Sequence, residues 1–485
     1  MKKSSKPIVL AVLSLFILAS CARESWKPSW FEQDHRVAYR EIPTQPDGRA
    51  VSSVSKKEAR EDLDLFRYLV ETSYAGYEYQ KEIRKVDFGR NFLRARWQLR
   101  WMKGRDISRE DMYRLLLTAL KGVQDGHLCI DGLYTPFMHE YYWHSGVTVA
   151  RRGKDLVVAT SSVDGISPGD RYRDSEAYLF RMYAPDEETY RIGTLSSKET
   201  SELSLKIGKS RVKVPVSLDM DTVSVPKQEI LYSLTDGVTF LRIPNFSAMG
   251  QSALVSDEGK ERLKEVERHI RLLDRGETVI IDVRNNPGGY GNTSALVPAI
   301  LFKRQSQNFI AKSALLESPG IAQARVHNVW DMGNNDNSSS DTRKAAQIDA
   351  DNQRINPRRK WSRSIWREEA VKKVENARKI IVIINRMSAS ASEFLCEIRK
   401  IPGVMIIGEN SAGIMSFATD QQYFLPNSQI SLLVPSELFF DLSYSAGEGT
   451  GVLPDYWVLH EELESVLRSL TGKESFVMPK GPAPK

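Results

Sequence analysis

The sequence predicts an α/β protein, and three apolar segments that each run into a loop of small residues predict it. Thr278–Val283 leads into Asn285-Asn286-Pro287-Gly288-Gly289, and Ile380–Ile384 leads into Ser388-Ala389-Ser390-Ala391-Ser392. Val404–Ile407 leads into Gly408-Glu409-Asn410-Ser411-Ala412-Gly413. Short continuous apolar runs bounded by turn residues are the pattern of parallel strands covered on both faces. Three of them, with helical patterns between, read as consecutive βαβ units.

The second segment carries the strongest chemical signal. A buried strand that breaks into small hydroxyl residues and then turns helical has the plan of a nucleophile elbow. The helix N-terminus adds N–H groups where negative charge would develop. Ser390 is therefore a candidate nucleophile. Ser390 followed by Glu393 also fits a helix capping box, and this segment alone does not separate the two readings. The paired glycines Gly288 and Gly289 permit positive φ and leave backbone N–H groups uncovered, as an oxyanion hole requires.

Four motifs in order resemble the C-terminal-processing (tail-specific) serine proteases and the related tricorn protease core. They are Asp282-Val283-Arg284-Asn285-Asn286-Pro287-Gly288-Gly289, Ser388–Glu393, Gly408–Gly413 and Gly451-Val452-Leu453-Pro454-Asp455. The resemblance covers about Val238 to Val458. It implies a crotonase- or ClpP-like core and endopeptidase activity on unfolded or C-terminal segments. It also implies that Ser390 is the nucleophile, with oxyanion donors on Ala391 N–H and the Gly288-Gly289 turn. No cofactor is implied.

One departure bears on mechanism. The tail-specific branch places a lysine base where this chain has Ile414, and isoleucine cannot take a proton. Lys400 lies about ten residues along the serine helix, roughly 15 Å from the nucleophile at 1.5 Å per residue. The histidine-using branch is similar instead in its Asp-x-His element, here Asp125-Gly126-His127, so the resemblance makes His127 the base. A glutamate before the Gly-Val-x-Pro-Asp motif orients the histidine in that branch, and Glu448 falls there. The relay serine of those relatives is Gly126 here. Glu448 must then reach His127 directly or through water, or Asp125 must substitute.

The N-terminus resembles a lipoprotein signal. Lys2, Lys3 and Lys6 precede the apolar run Ile8–Leu18, which ends in Leu18-Ala19-Ser20-Cys21. Such a lipobox implies cleavage after residue 20 and lipidation of Cys21. It places the chain in the cell envelope, facing the periplasm or the cell surface. Residues 21–55 read as a tether, and residues 56–135 as an N-terminal helical region in which Tyr74, Tyr77 and Tyr79 pack helices. Residues 146–220 alternate as a small β domain, and Gly165–Asp170 resembles a PDZ turn; a β domain without peptide binding is the equal alternative. The protease core spans residues 230–470 with a polar insertion near 303–378, a lid or a solvated loop, in which Gly333–Asp341 has no apolar residue and reads as mobile. Within it, Arg358–Arg363 reads as a solvated basic face.

The formal net charge of +6 over 485 residues is modest and spread along the chain, so it gives no argument for nucleic acid. No zinc-type histidine and cysteine spacing occurs. Cys129 and Cys396 are compatible with a disulfide or with two buried thiols. The reading is a lipid-anchored serine endopeptidase whose partners are a peptide or protein substrate and, through Cys21, the membrane. The alternatives are an inactive peptide-binding lipoprotein and a non-peptide hydrolase on the same fold.

Overall fold

The computed structural model describes residues 29–134, 140–173, 177–196, 198–208, 210–218, 229–246, 257–289, 291–302, 313–327, 338–363, 378–388, 391–399, 403–439 and 447–479. The α/β class expected from the apolar runs is the class found. The strands run in the order Leu231–Thr235, Val238–Arg242, Thr278–Asp282, Lys379–Ile384, Val404–Gly408 and Tyr456–Trp457 across one sheet. The first pair is antiparallel and every later pair is parallel.

Alternate residues of these strands face opposite sides, and both sides are covered. Val279, Ile281, Ile380, Val382 and Ile384 meet the helices Asp257–Arg271, Gly291–Phe302 and Ala391–Arg399. Phe240, Ile280, Ile381, Ile383 and Ile407 meet Leu463, Leu467 and Leu470 of the helix His460–Thr471. Burial on both faces is why these strands read as unbroken apolar runs.

A second sheet joins distant parts of the chain. Its strands run Asp34–Arg36, Arg358–Arg363, Ser313–Glu317, Ser431–Phe439, Cys129–Ile130 and Leu133–Tyr134, with Phe417–Phe424 also paired to Ser431–Phe439. Leu432, Val434 and Tyr423 of this sheet pack against four helices, Lys56–Thr72, Tyr77–Glu82, Phe88–Trp101 and Arg109–Ala119. The first of these starts with a reciprocal capping box between Ser55 and Glu58.

Three expectations are corrected here. The segment from Ser29 is not a free tether: Trp30 and Phe31 are buried with Tyr79, Leu316 and Trp361, and Asp34–Arg36 pairs with Arg358–Arg363. The insertion is not a structureless loop either, because its described part forms two strands and the helices Pro319–His327 and Ser338–Ile355. The basic run Arg358–Arg363 lies between two strands, with Arg359 and Trp361 buried. Arg359 forms a two-pronged ion pair with Glu78, both contacts at 2.7 Å, and the Trp361 ring meets Phe31 edge-on. A guanidinium in that position needs a carboxylate, and the sequence holds it 281 residues away.

Residues 140–218 form a third, eight-stranded antiparallel sheet with its own core of Val147, Val149, Val158, Ile192 and Leu205. Gly165–Asp170 is the turn between the strands Asp155–Ser161 and Arg171–Tyr172, closed by Ser167 N–H on the Asp170 carboxylate at 2.8 Å. This unit packs on the parallel sheet through Tyr141, Trp143 and Phe180 around Trp457. Cys129 and Cys396 are both buried and are not bridged.

Replacing Arg359 by leucine should lower stability by about 3–5 kcal/mol in urea unfolding, because Glu78 is left as an uncompensated buried charge. Adding Glu78→Leu should restore most of the loss. A single variant as stable as the wild type would mean that the pair is dispensable.

Candidate active site

Three loops leave the C-terminal ends of adjacent parallel strands, and hydrogen bonds tie them together. Asn285 and Asn385 bridge the first two reciprocally: Asn285 N–H donates to Asn385 Oδ1 at 2.9 Å, and Asn385 Nδ2 donates to Asn285 Oδ1 at 2.8 Å. Asn285 sits at φ +58°, a left-handed conformation that asparagine tolerates better than most residues. Ser388 Oγ donates to the Val283 carbonyl at 2.8 Å, and Ala412 N–H donates to the Ser388 carbonyl at 3.3 Å. Ser388 is buried and its hydroxyl is a structural clasp.

That clasp lies between the strand Lys379–Ile384 and the helix Ala391–Arg399. Ser390 itself lies outside the described residues, as does Cys21. Ala391 opens the helix Ala391–Arg399, so its N–H has no acceptor within the helix. Gly288 and Gly289 adopt φ +113° and +138°, which only glycine enters readily. Gly288 N–H, however, donates to Asn286 Oδ1 at 2.7 Å. Gly289 is exposed, and its N–H meets no acceptor among the described residues.

His127 reaches the site from the N-terminal half. Its loop follows the helix Arg109–Ala119 and precedes the strand Cys129–Ile130, which adds to Ser431–Phe439 at Leu432 and Leu433. Asp125 Oδ1 accepts from His127 N–H at 2.7 Å and from Leu128 N–H at 3.0 Å, so this carboxylate folds the loop. Gln80 holds the preceding residue by accepting from Gln124 N–H and donating to the Gln124 carbonyl. The imidazole is half-buried, and its buried Nδ1 has no hydrogen-bond partner among the described residues. Burial pushes its pKa down from 6.5 to about 4, so the ring is neutral at neutral pH.

Glu448 comes to the same loop, by its backbone. Its Oε1 accepts from Gly126 N–H at 3.1 Å, and its Oε2 accepts from Met415 N–H at 2.9 Å and Ser416 N–H at 2.6 Å. Of the routes left open by the sequence, the described contacts show Glu448 bonded one residue before the imidazole, at Gly126 N–H. Burial, with the Asp125 charge beside it, pushes Glu448 up to about 8 against the pull of those three amides. Burial likewise lifts Asp125 to about 6 and Asp420 to about 8.

The position of the absent lysine has a steric partner. A Cβ added at Gly126 would lie 2.5 Å from Cγ1 of Ile414, closer than such atoms approach. Ile414 thus fills the space that a relay side chain at residue 126 would need. The loop bearing Glu448 is held just as closely. Gly449 N–H donates to the Gly413 carbonyl at 2.8 Å, and a Cβ on Gly451 would lie 1.9 Å from the Ser411 carbonyl oxygen.

Sequence reading missed Asp420 and the polar end of Tyr74. Tyr74 packs in the helical core as read, and its buried phenol also faces the Asp125 carboxylate; burial and then that charge raise its pKa. Asp420 lies on the strand Phe417–Phe424, where burial and then the Asp125 charge raise its pKa. Neither stands in a motif, so only the pairing of distant strands reveals them. Among the described residues no cluster of metal-ligating side chains is present.

Residues 237–458 match the model of peptidase family S41. They form a peptidase family S41 domain. The chain is a serine-type peptidase, in keeping with the four motifs and with the loop geometry of this domain. No curated protein matches the chain. Among solved structures, mature CPAF complexed with lactacystin is 16% identical, covering 86% of this chain and 97% of its own, with a TM-score of 0.45. The photosystem II D1 C-terminal processing protease is 13% identical over 85% and 97%, with a TM-score of 0.34. The tricorn protease is 15% identical over 86% of this chain and 36% of its own, with a TM-score of 0.35. The S41 domain carries the assignment; these overlays do not. His127 lies outside the matched residues.

Replacing Gly126 by serine should destabilise the protein by about 1–3 kcal/mol through overpacking against Ile414. Adding Ile414→Ala should recover most of that loss in thermal or urea unfolding. If the serine variant unfolds like the wild type, the Gly126–Ile414 contact is not a constraint.

Proposed function

We propose that this chain is a lipid-anchored endopeptidase of the bacterial cell envelope that cleaves unfolded or C-terminal segments of proteins by a serine–histidine mechanism. Ser390 attacks the scissile carbonyl, and His127 takes its proton and returns it to the leaving amine. Ala391 N–H and Gly289 N–H bind the oxyanion, with Gly288 shaping the turn. Glu448 positions the His127 loop through Gly126. Ile414 removes the lysine alternative, which favours the histidine-using branch of the family.

The observation that carries this reading is the bond between Glu448 and Gly126. It brings the glutamate of the S41 domain to the residue beside His127 across 322 positions of sequence. A neutral imidazole in a buried loop is the protonation state a general base requires.

Fluorophosphonate labelling of the purified chain tests the mechanism. Labelling should disappear in Ser390→Ala and fall by about 10²–10⁴-fold in His127→Ala. In the wild type it should persist below the ordinary histidine pKa of 6.5 and be lost as pH falls through about 4, where His127 becomes protonated. Full labelling of His127→Ala would remove this residue as the base. Loss already at or above pH 6.5 would mean that Nδ1 gains a carboxylate partner in the reacting state.

The anchoring half of the proposal rests on Leu18-Ala19-Ser20-Cys21. Cells fed a clickable fatty acid should label the wild type and leave Cys21→Ser unlabelled. Equal labelling of both would refute lipid attachment at Cys21.

A further inference from the structure

The helix Phe88–Trp101 has two apolar faces, and only one is used by the fold. Phe88, Phe92, Ala95 and Leu99 are buried against the N-terminal core. At 100° per residue, Leu93, Trp97 and Trp101 form a stripe on the opposite side. Their exposures are 66%, 64% and 66%, so three large apolar side chains at i, i+4 and i+8 face water. The rings of Trp97 and Trp101 lie against each other, with centroids 6.2 Å apart. A water-facing helix stripe is ordinarily polar.

The charges beside the stripe identify what it meets. The helix contains Arg90, Arg94, Arg96 and Arg100 and no acidic residue. Arg90 and Arg94 lie toward one side of the stripe, and Arg96 and Arg100 lie on the other. Arg96 is paired to Asp64, and the Arg100 guanidinium lies over the Trp101 ring at 6.0 Å. Lys103 and Arg105 continue the positive charge beyond the helix, and both are exposed. Tryptophan carries an apolar body and a polar N–H, which suits the boundary between acyl chains and headgroups. Arginines at the margins of such a stripe extend toward phosphate while their methylene stems cover apolar surface.

We propose that the helix Phe88–Trp101 is a membrane-contact face. It lies flat on an anionic bilayer, with Leu93, Trp97 and Trp101 inserted at the headgroup level and the arginines on lipid phosphates. The stripe runs from Leu93 to Trp101, about 12 Å along the axis, which is a footprint for lying on a membrane and not for crossing one. This inference stands apart from lipidation at Cys21, since it rests on a different segment.

A local probe keeps the two separate. The full chain carrying Cys21→Ser and Leu93→Cys would be labelled at residue 93 with an environment-sensitive dye, the native Cys129 and Cys396 being buried. The dye should shift to the blue with vesicles containing phosphatidylglycerol and stay unchanged with phosphatidylcholine alone. Adding Arg94→Glu and Arg100→Glu should weaken that response by at least about tenfold. A dye at Glu110→Cys, on the neighbouring helix, should stay in water throughout. A dye at residue 93 that ignores anionic vesicles would overturn the proposal. A response to polyanions such as heparin or single-stranded DNA, without one to vesicles, would also overturn it and assign the face to a macromolecular partner.

Discussion

The carboxylate of Glu448 is the constraint on which the arrangement of the site depends. Its two oxygens take three backbone N–H groups, one from the N-terminal half and two from the loop after Gly413. A buried acceptor that binds amides from two segments sets their spacing more firmly than apolar packing can, since each bond has a direction as well as a distance. Removing it would leave three buried donors unsatisfied at once. Its own burial raises the cost of the charge, and the neighbouring Asp125 raises it further. Protons in this group of carboxyls are therefore shared property of the site and not of single residues.

The strands and their order were legible because burial on both faces writes an unbroken apolar run into the chain. The loops were legible because their backbone conformations demand particular residues: Gly408, at φ +113°, would place a Cβ 2.1 Å from the Ile384 carbonyl oxygen. The histidine loop was singled out by its motif, and Glu448 was expected to reach it directly or through water, or to be replaced by Asp125. The contact made to Gly126 instead depends on backbone direction, which no residue pattern encodes.

The misread regions share a cause. Residues 29–36 and 358–363 look polar or basic in isolation, and local composition assigns them to solvent. Their burial depends on partners supplied from far away, Glu78 for Arg359 and Trp361 for Phe31. Tyr74 packs as its aromatic neighbours suggested, and only its exchange of charge effects with Asp125 was hidden. Long-range polar pairing is where reading by neighbours ends.

The second sheet also dictates an order of events during synthesis. Asp34–Arg36 has no strand to join until Arg358–Arg363 exists, and Cys129–Ile130 has none until Leu432 and Leu433 exist. Early segments must wait, loosely structured, for late ones, which is the circumstance that slows folding. His127 can take its place only after nearly the whole polypeptide has been made. A nascent or prematurely ended chain thus lacks the pairing that seats the His127 loop.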